Sequence, residues 1–567
     1  MRMAIPTPTA DKNNILKNPG AAATFLPGAV IGALVFIAFF GIQLINPTNT
    51  DWIFTNLGDV AQHHLGWVYY RHTPWTFPIC MTDGISSDGM ISCMYTDSIP
   101  LFAIIFKLLS PVLPENFQYI GLWGIICFAL NGGFGASLLK RIEPNLCFTT
   151  IGSLFFSVFA PSLNRIHQHN SLGASWLVML ALMLTIDHKR EYKHSFTPVA
   201  AWAATCVAAT LIHLYFIPMI YSAMFAYVIM LFFRDKKRLR AVCTAVVPTL
   251  FSVLSLWIIG AFKGSGSYSD GGFGQFSANL NTFYNGLGTS RFIPSLPVRD
   301  GQYEGLGYLG VGMLLCCLLG LISAVIYFAK QEGSFFRNVL SYAKKHGIEI
   351  FAYVSAFCIS FFWAVSTTVA FNEKVLLDIH LPFAIMSRLA VFRSSGRFIW
   401  LPCIMIMTFA VWLISKLKFK VSAALLTVCV LVNCIDFSVW RGSLHAQYTR
   451  PALEPNITES EWQEAVRGVD EVVFLPLPPD YRANIQLYFD ISRLAARDRI
   501  SLSSFYLARS DYGSLWEYAD EQYRQLSCGN GREDALYVFF KDEDVPKDVD
   551  NMTVFRLGNY TVARVKK

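Results

Sequence analysis

The sequence predicts an all-α polytopic membrane protein of about eleven spans, closed by a small α/β domain at its C-terminal end. Three observations carry this. Of 567 residues, 54% are hydrophobic and only 15% charged, where soluble domains run near one quarter charged. Apolar runs long enough to cross a bilayer recur along most of the chain. After residue 440 charges become frequent and no further run of that length remains.

The spans fall at about 26–45, 118–139, 147–163, 171–187, 197–213, 215–233, 241–262, 307–329, 348–370, 397–415 and 421–438. Residues 1–25 are polar, and the run from Phe25 to Leu44 is too long for a cleavable signal, so the first span is read as retained. With residues 1–25 in the cytoplasm, the inside segments hold 20 Lys/Arg in 71 residues and the long outside segments 9 in 149. That asymmetry is the positive-inside pattern. It assigns the net charge of +7 to orientation and membrane lipid, and excludes nucleic acid as a partner. "SIPLFAIIFKLLSPVLP" (98–114) is short, carries Lys107 and is bracketed by prolines. Counting it as a span would invert every later cluster, so it is read as an interfacial helix, as is 58–71.

Two large outer loops result, 46–117 and 263–306, within a membrane domain spanning 26–439. An odd span count leaves 440–567 outside. There "EVVFLPL" (471–477), "ALYVFF" (535–540) and "MTVFRLGNYTVARV" (552–565) read as strands, and 481–526 as helical. The thirteen cysteines sit mostly in apolar runs as small packing residues. Cys80 and Cys93 share the first outer loop, where a disulfide and two free thiols remain equally open.

The candidate site residues concentrate in the outer loops. "LGDVAQHHLGWVYYRHTPW" (57–75) sets Asp59, His63, His64, Arg71 and His72 among aromatic rings. A carboxylate at the bilayer surface suits a general base, and Asp59 and Asp51 are the candidates, with helix capping the alternative. Adjacent His63 and His64 point about 100° apart on a helix and do not share an ion readily, so no metal ligand is assigned. Arg71 and Lys107, alone among Lys/Arg in 46–117, are candidates for phosphate. His64, Trp67 and Asp97 in "MYTDSIPLFA" are candidates for substrate contact, Asp97 having a helix cap as its alternative. In 263–306, Asn279, Asn281, Asn285, Tyr303, Glu304 and Arg291 mix amide, aromatic and charged groups suited to sugar hydroxyls, ring faces and phosphate. "SRLAVFRSSGRFIW" (387–400) places Arg388, Arg393 and Arg397 outside, against the inside-positive trend. An anionic group accounts for them, since guanidinium forks grip phosphate in pairs of hydrogen bonds; pairing with Glu373 or Asp378 is the alternative.

Taken together, "GDVAQHHLGWVYYRHTPWTFP", "YTDSIPL", "GQYEGLGYLG" and "FRSSGRFIW" resemble an uncharacterised family of bacterial inner-membrane proteins related to the GT-C class of membrane glycosyltransferases. The resemblance covers about residues 20–440. It implies a GT-C-like helical bundle in the inner membrane and a periplasmic C-terminal domain. It also implies sugar transfer, with inversion, from a polyprenyl-phosphate donor to a glycan, lipid or protein acceptor at the outer face. Asp59 matches the position of the base, with Asp51 as the other choice. The phosphate set is Arg71, Arg291, Arg393, Arg397 and Lys107. No cofactor is required by these features; a divalent cation is left open. Two other readings share the setting: a lipid-linked glycan flippase, and an O-antigen-type polymerase or ligase. A transporter places charges near the bilayer midplane, whereas the span interiors here are nearly uncharged.

Overall fold

The computed structural model describes residues 18–87, 89–263, 272–477, 484–507, 512–547 and 549–566. Most of the polar N-terminus, the glycine-rich stretch 264–271 and the start of the 481–526 helical reading lie outside the described residues. Among those described, nine helices are long and apolar enough to cross a membrane, so the chain is a multi-pass membrane protein. A tenth candidate is the pair Leu146–Ser157 and Ala160–Ile166, bent by 51° at a short break. Pro161 stands at the start of the second piece, where its missing N–H costs no hydrogen bond. The segment expected as a span at 197–213 forms the helix Thr197–Ile212 of 16 residues. At 1.5 Å per residue that is about 24 Å, short of a hydrocarbon core of about 30 Å.

The first helix, Ala21–Phe40, starts and stops earlier than the hydropathy suggested. Gly41 at φ 89 ends it, a conformation glycine adopts freely. Leu26, Val30 and Leu34 form its exposed stripe, while Gly28, Gly32 and Phe36 face inward. A β-carbon on Gly32 would collide with the carbonyl of Phe128, and one on Gly28 with that of Gly132. The helix Ile120–Lys140 therefore lies directly against the first span, as small residues four apart permit in lipid.

The loop after the first span holds the two expected short helices, Asp59–His72 and Pro100–Leu108, and a further five-residue helix, Asp51–Thr55. Two-residue strands, Met81–Thr82 and Ile91–Ser92, pair between them. Cys80 and Cys93 flank this pairing as buried free thiols.

The C-terminal region holds a five-stranded mixed sheet. Glu471–Leu475 runs parallel to both Ser501–Leu502 and Ala535–Phe539; Tyr560–Val565 pairs antiparallel with Ala535–Phe539 and with Met552–Leu557. The 481–526 stretch is two helices, Ile485–Asp498 and Tyr512–Ser527, interrupted by the strand Ser501–Leu502. That strand meets the first outer loop: Leu502 N–H donates to the Gly84 carbonyl (2.9 Å), and Ser87 N–H to that of Ser503 (3.1 Å). Tyr69 Oη also donates to the Ile500 carbonyl (2.7 Å). The sheet region and the first loop thus share one face of the molecule.

The glycine contact gives a direct test. Gly32→Leu is expected to lower stability by about 1–3 kcal/mol through forced separation of two helices. Gly442→Ala, where a β-carbon meets nothing within 4 Å, is expected to be neutral or slightly stabilising. Thermal unfolding in detergent measures both.

Candidate functional site

The helix Asp59–His72 begins after Gly58, so Asp59 is its first residue and His63 lies one turn on, on the same face. Gly66 follows, and a β-carbon there would strike Thr96. This lets "YTDSIP" press against the helix. Ser98 Oγ donates to the His63 carbonyl (2.8 Å) and exchanges a hydrogen bond with Thr96 Oγ1 (2.7 Å). Asp97, pinned between them, does not N-cap the helix Pro100–Leu108, whose cap is Ile99; it closes the 3-10 turn Cys93–Thr96 as its C-cap, with φ 52. That left-handed conformation is uncommon outside glycine but tolerated by aspartate. It aims the Asp97 side chain into a cluster.

Three histidines surround Asp97. His63 Nε2 and His169 Nδ1 each stand 3.8 Å from its Oδ2, and His213 Nε2 stands 3.5 Å from its Oδ1. His169 also brings Nε2 to 3.3 Å from Asp59 Oδ2. Two of the histidines are held by hydrogen bonds at their other ring nitrogen. His63 Nδ1 lies 2.8 Å from Asn170 Oδ1, and Tyr215 N–H donates to His213 Nδ1 (3.1 Å). Asp59 and His169 are both 23% exposed, which places them at the mouth of the cluster.

Beside it lies a buried ionic trio. Arg165 grips Glu304 with two hydrogen bonds, Nη2 to Oε2 (2.7 Å) and Nη1 to Oε1 (3.3 Å). Arg397 Nε donates to Glu304 Oε2 (2.9 Å) while its guanidinium lies over the Tyr215 ring, 4.7 Å from the centroid. Arg165, Arg397 and Glu304 are 2%, 6% and 9% exposed. The boxes "GQYEG" and "FRSSGRFIW" meet backbone to backbone here: a β-carbon on Gly396 would lie 2.7 Å from the Gly305 Cα. Arg397 therefore pairs with Glu304 rather than with Glu373 or Asp378. Next to the trio, Arg393 is exposed and stacks on Phe276 at 4.5 Å, and Phe276 packs edge-on against the half-exposed Tyr303.

The electrostatics follow from this crowding. Burial pushes the Asp59 carboxyl up, but His169 and His63 outweigh it and hold it below the usual carboxylate range. Burial acts on Asp97 likewise and is overcome by the histidines around it. For Glu304, burial is overcome by Arg165 and Arg397. Burial pushes His63 down, the nearby Asp97 and Asp59 only partly opposing it.

Of the residues singled out in sequence, Asp59, Asp97, Tyr303, Glu304, Arg393 and Arg397 gather at this site. Others do not. Asp51 is exposed at the start of a separate helix, Asp51–Thr55. Arg71 spends its guanidinium on the carbonyls of Ser110, Leu113, Pro114 and Glu115, which tie off the end of the second interfacial helix. Lys107 is buried with its ammonium 4.0 Å above the Tyr70 ring and 4.6 Å above that of Trp75. Burial pulls it down to about 8. His64 packs edge-on to Phe54, and burial pushes it down to about 4. Trp67 is a core residue donating to the Phe117 carbonyl (3.3 Å). Arg291 donates to Ser438 (3.4 Å) at the end of the last membrane helix. Asn279, Asn281 and Asn285 are buried and bond to each other and to loop carbonyls, so they shape the loop.

Sequence reasoning missed Arg165, His169 and His213. One signal existed: "NRIHQHN" (164–170) sets an arginine and two histidines in a short polar stretch between apolar runs, as "FRSSGR" does for Arg393 and Arg397.

Removing one partner of a buried charge pair leaves the rest uncompensated, at a cost of about 3–5 kcal/mol. Glu304→Gln is therefore expected to lower thermal stability in detergent strongly, whereas Arg393→Ala, at an exposed guanidinium, is expected to leave it within about 0.5 kcal/mol.

No curated protein matches the chain. Two family models do. Residues 29–438 match a "Domain of unknown function (DUF6311)" and residues 461–565 its "DUF6311 C-terminal domain". All residues of the cluster and the trio fall inside the first match, and the mixed sheet inside the second. The chain belongs to the DUF6311 family.

Proposed function

We propose that the protein transfers a sugar from a polyprenyl-phosphate donor to a cell-envelope acceptor at the outer face of a bacterial inner membrane. The observation that carries the reading is Asp59: a carboxylate held below its ordinary range, at the open mouth of a polar cluster, on an interfacial helix at one end of an apolar bundle. One Asp59 oxygen stands 3.3 Å from His169 Nε2, which leaves the other for an incoming hydroxyl. The acceptor oxygen attacks the anomeric carbon as its proton passes to Asp59. The bond from that carbon to the phosphate oxygen breaks on the opposite face, with inversion. The lipid phosphate departs with the electron pair and an added negative charge. Arg393, unpaired with any carboxylate among the described residues, and Arg397, which bonds Glu304 through Nε alone, supply the cations for it. Tyr303 and Phe276 offer ring faces for the sugar.

The membrane arrangement supports the same reading. His169 follows the bent pair, His213 follows the short helix Thr197–Ile212, and both meet the first outer loop. Counting the bent pair and, despite its shortness, Thr197–Ile212 as crossings would give eleven, with an N-terminus in the cytoplasm and a periplasmic C-terminal domain, the arrangement that the charge asymmetry favours. The charges cluster at helix ends rather than midway along them, which favours surface chemistry over translocation.

A positioned base contributes about 10²–10⁴-fold. Asp59→Asn is expected to reduce transfer by that factor in a normally folded protein, and Asp51→Asn by less than about twofold. Transfer by purified protein from a radiolabelled polyprenyl-phosphate sugar measures both; near-normal turnover of Asp59→Asn removes it as the base.

A further inference from the structure

The geometry around Asp97 sets which histidine nitrogens face it. His63 Nδ1 faces the acceptor oxygen of Asn170, so in the neutral ring the proton sits on Nδ1 and Nε2 keeps its lone pair. His169 Nε2 stands 3.3 Å from Asp59 Oδ2, which leaves Nδ1 as the ring nitrogen turned toward Asp97. His63 Nε2 and His169 Nδ1 both face one carboxylate oxygen, Asp97 Oδ2, from 3.8 Å. Three atoms of the kinds that ligate metals thus converge on one another. Among the described residues neither nitrogen has a hydrogen-bond partner, and His63 is 2% exposed, so bulk water does not satisfy it. Buried polar atoms without partners around a common centre are costly unless a cation fills it. His213 differs: its Nδ1 accepts from Tyr215 N–H, so its proton sits on Nε2 and is directed at Asp97 Oδ1.

We propose that His63 Nε2, His169 Nδ1 and Asp97 Oδ2 form a binding site for one divalent transition-metal ion, with Zn²⁺ the best match. The three atoms lie within 4.8 Å of one another. Zinc–nitrogen and zinc–oxygen bonds of about 2.0–2.1 Å place tetrahedral ligand atoms about 3.3 Å apart, so the groups need close by only part of an ångström for each 3.8 Å gap. Two imidazoles and one carboxylate suit zinc better than calcium or magnesium, which take oxygen ligands. Asn170 and Asp59 orient the two imidazoles from behind, as outer partners of metal-bound histidines do, and His213 does the same for Asp97. Three protein ligands leave a fourth position open, as in catalytic rather than structural zinc sites. The proposal does not rest on sugar transfer; it stands or falls on metal binding alone.

The test uses purified full-length protein in detergent, stripped with a chelator, then titrated with Zn²⁺ and separately with Co²⁺. Bound metal per chain is measured after desalting, and the cobalt complex by visible absorption. One ion per chain is expected, with a tetrahedral cobalt spectrum that lacks the near-ultraviolet thiolate band cysteine ligation would add. His63→Gln, His169→Gln and Asp97→Asn should each weaken binding by 100-fold or more. His213→Gln, and Asn170→Ala behind His63, should weaken it by about 10–100-fold. Absence of stoichiometric metal in the wild-type chain overturns the proposal, and so does stoichiometric binding that survives all three ligand substitutions. Any ligand variant that fails to elute as a monodisperse peak is replaced by Asn170→Ala, whose unchanged affinity would equally count against the site.

Discussion

Glu304 is a carboxylate almost out of reach of water, and that constraint organises the outer end of the molecule. Such a group persists only when its charge is answered at hydrogen-bond distance. The answering guanidiniums come from Arg165, 139 residues earlier, and Arg397, 93 residues later. The trio therefore ties the end of the bent helix pair to the 263–306 loop and to the start of a late membrane helix. Close packing makes the tie possible, because Gly305 and Gly396 bring two backbones together where side chains would hold them apart. With these segments fixed, Tyr215 lies under Arg397, and His213 beside Tyr215 reaches Asp97. The ionic trio and the aspartate–histidine cluster are thus one construction.

Within it the charges are nearly balanced. Three carboxylates face two guanidiniums, leaving one net negative charge before the histidines are counted. A divalent cation at Asp97 would turn that into one net positive charge, a setting more hospitable to a lipid phosphate. The proposed metal and the proposed transfer reaction are independent in their tests but compatible in their electrostatics. Asp59 serves both, with one oxygen orienting His169 and the other free for a proton.

Much of the architecture was legible because lipid is a demanding solvent: it imposes long apolar runs and satisfied backbones, and both leave marks in sequence. The two interfacial helices of the first loop were readable from charge parity. The interruption of the C-terminal helical stretch at Ser501–Leu502 was not, since two residues carry no period, and neither was the shortness of Thr197–Ile212. For the site, single residues were legible and partnerships were not. Arg71 and Arg393 look alike in sequence; only the fold shows one spent on four carbonyls and the other stacked and exposed. Adjacent His63 and His64 point apart on their helix, but the partners of His63 lie on other elements, where no spacing rule reaches. Arg165 and Glu304 likewise have no local signature of their pairing.

The central claim is that this outer cluster breaks the bond between a sugar and a lipid phosphate. The most direct measurement is release of polyprenyl phosphate by purified protein from a panel of polyprenyl-phosphate sugars, with envelope glycans, lipids and proteins supplied as acceptors. The account predicts acceptor-dependent release from at least one donor. Absence of release from every donor, in protein that is folded and metal-replete, would contradict it.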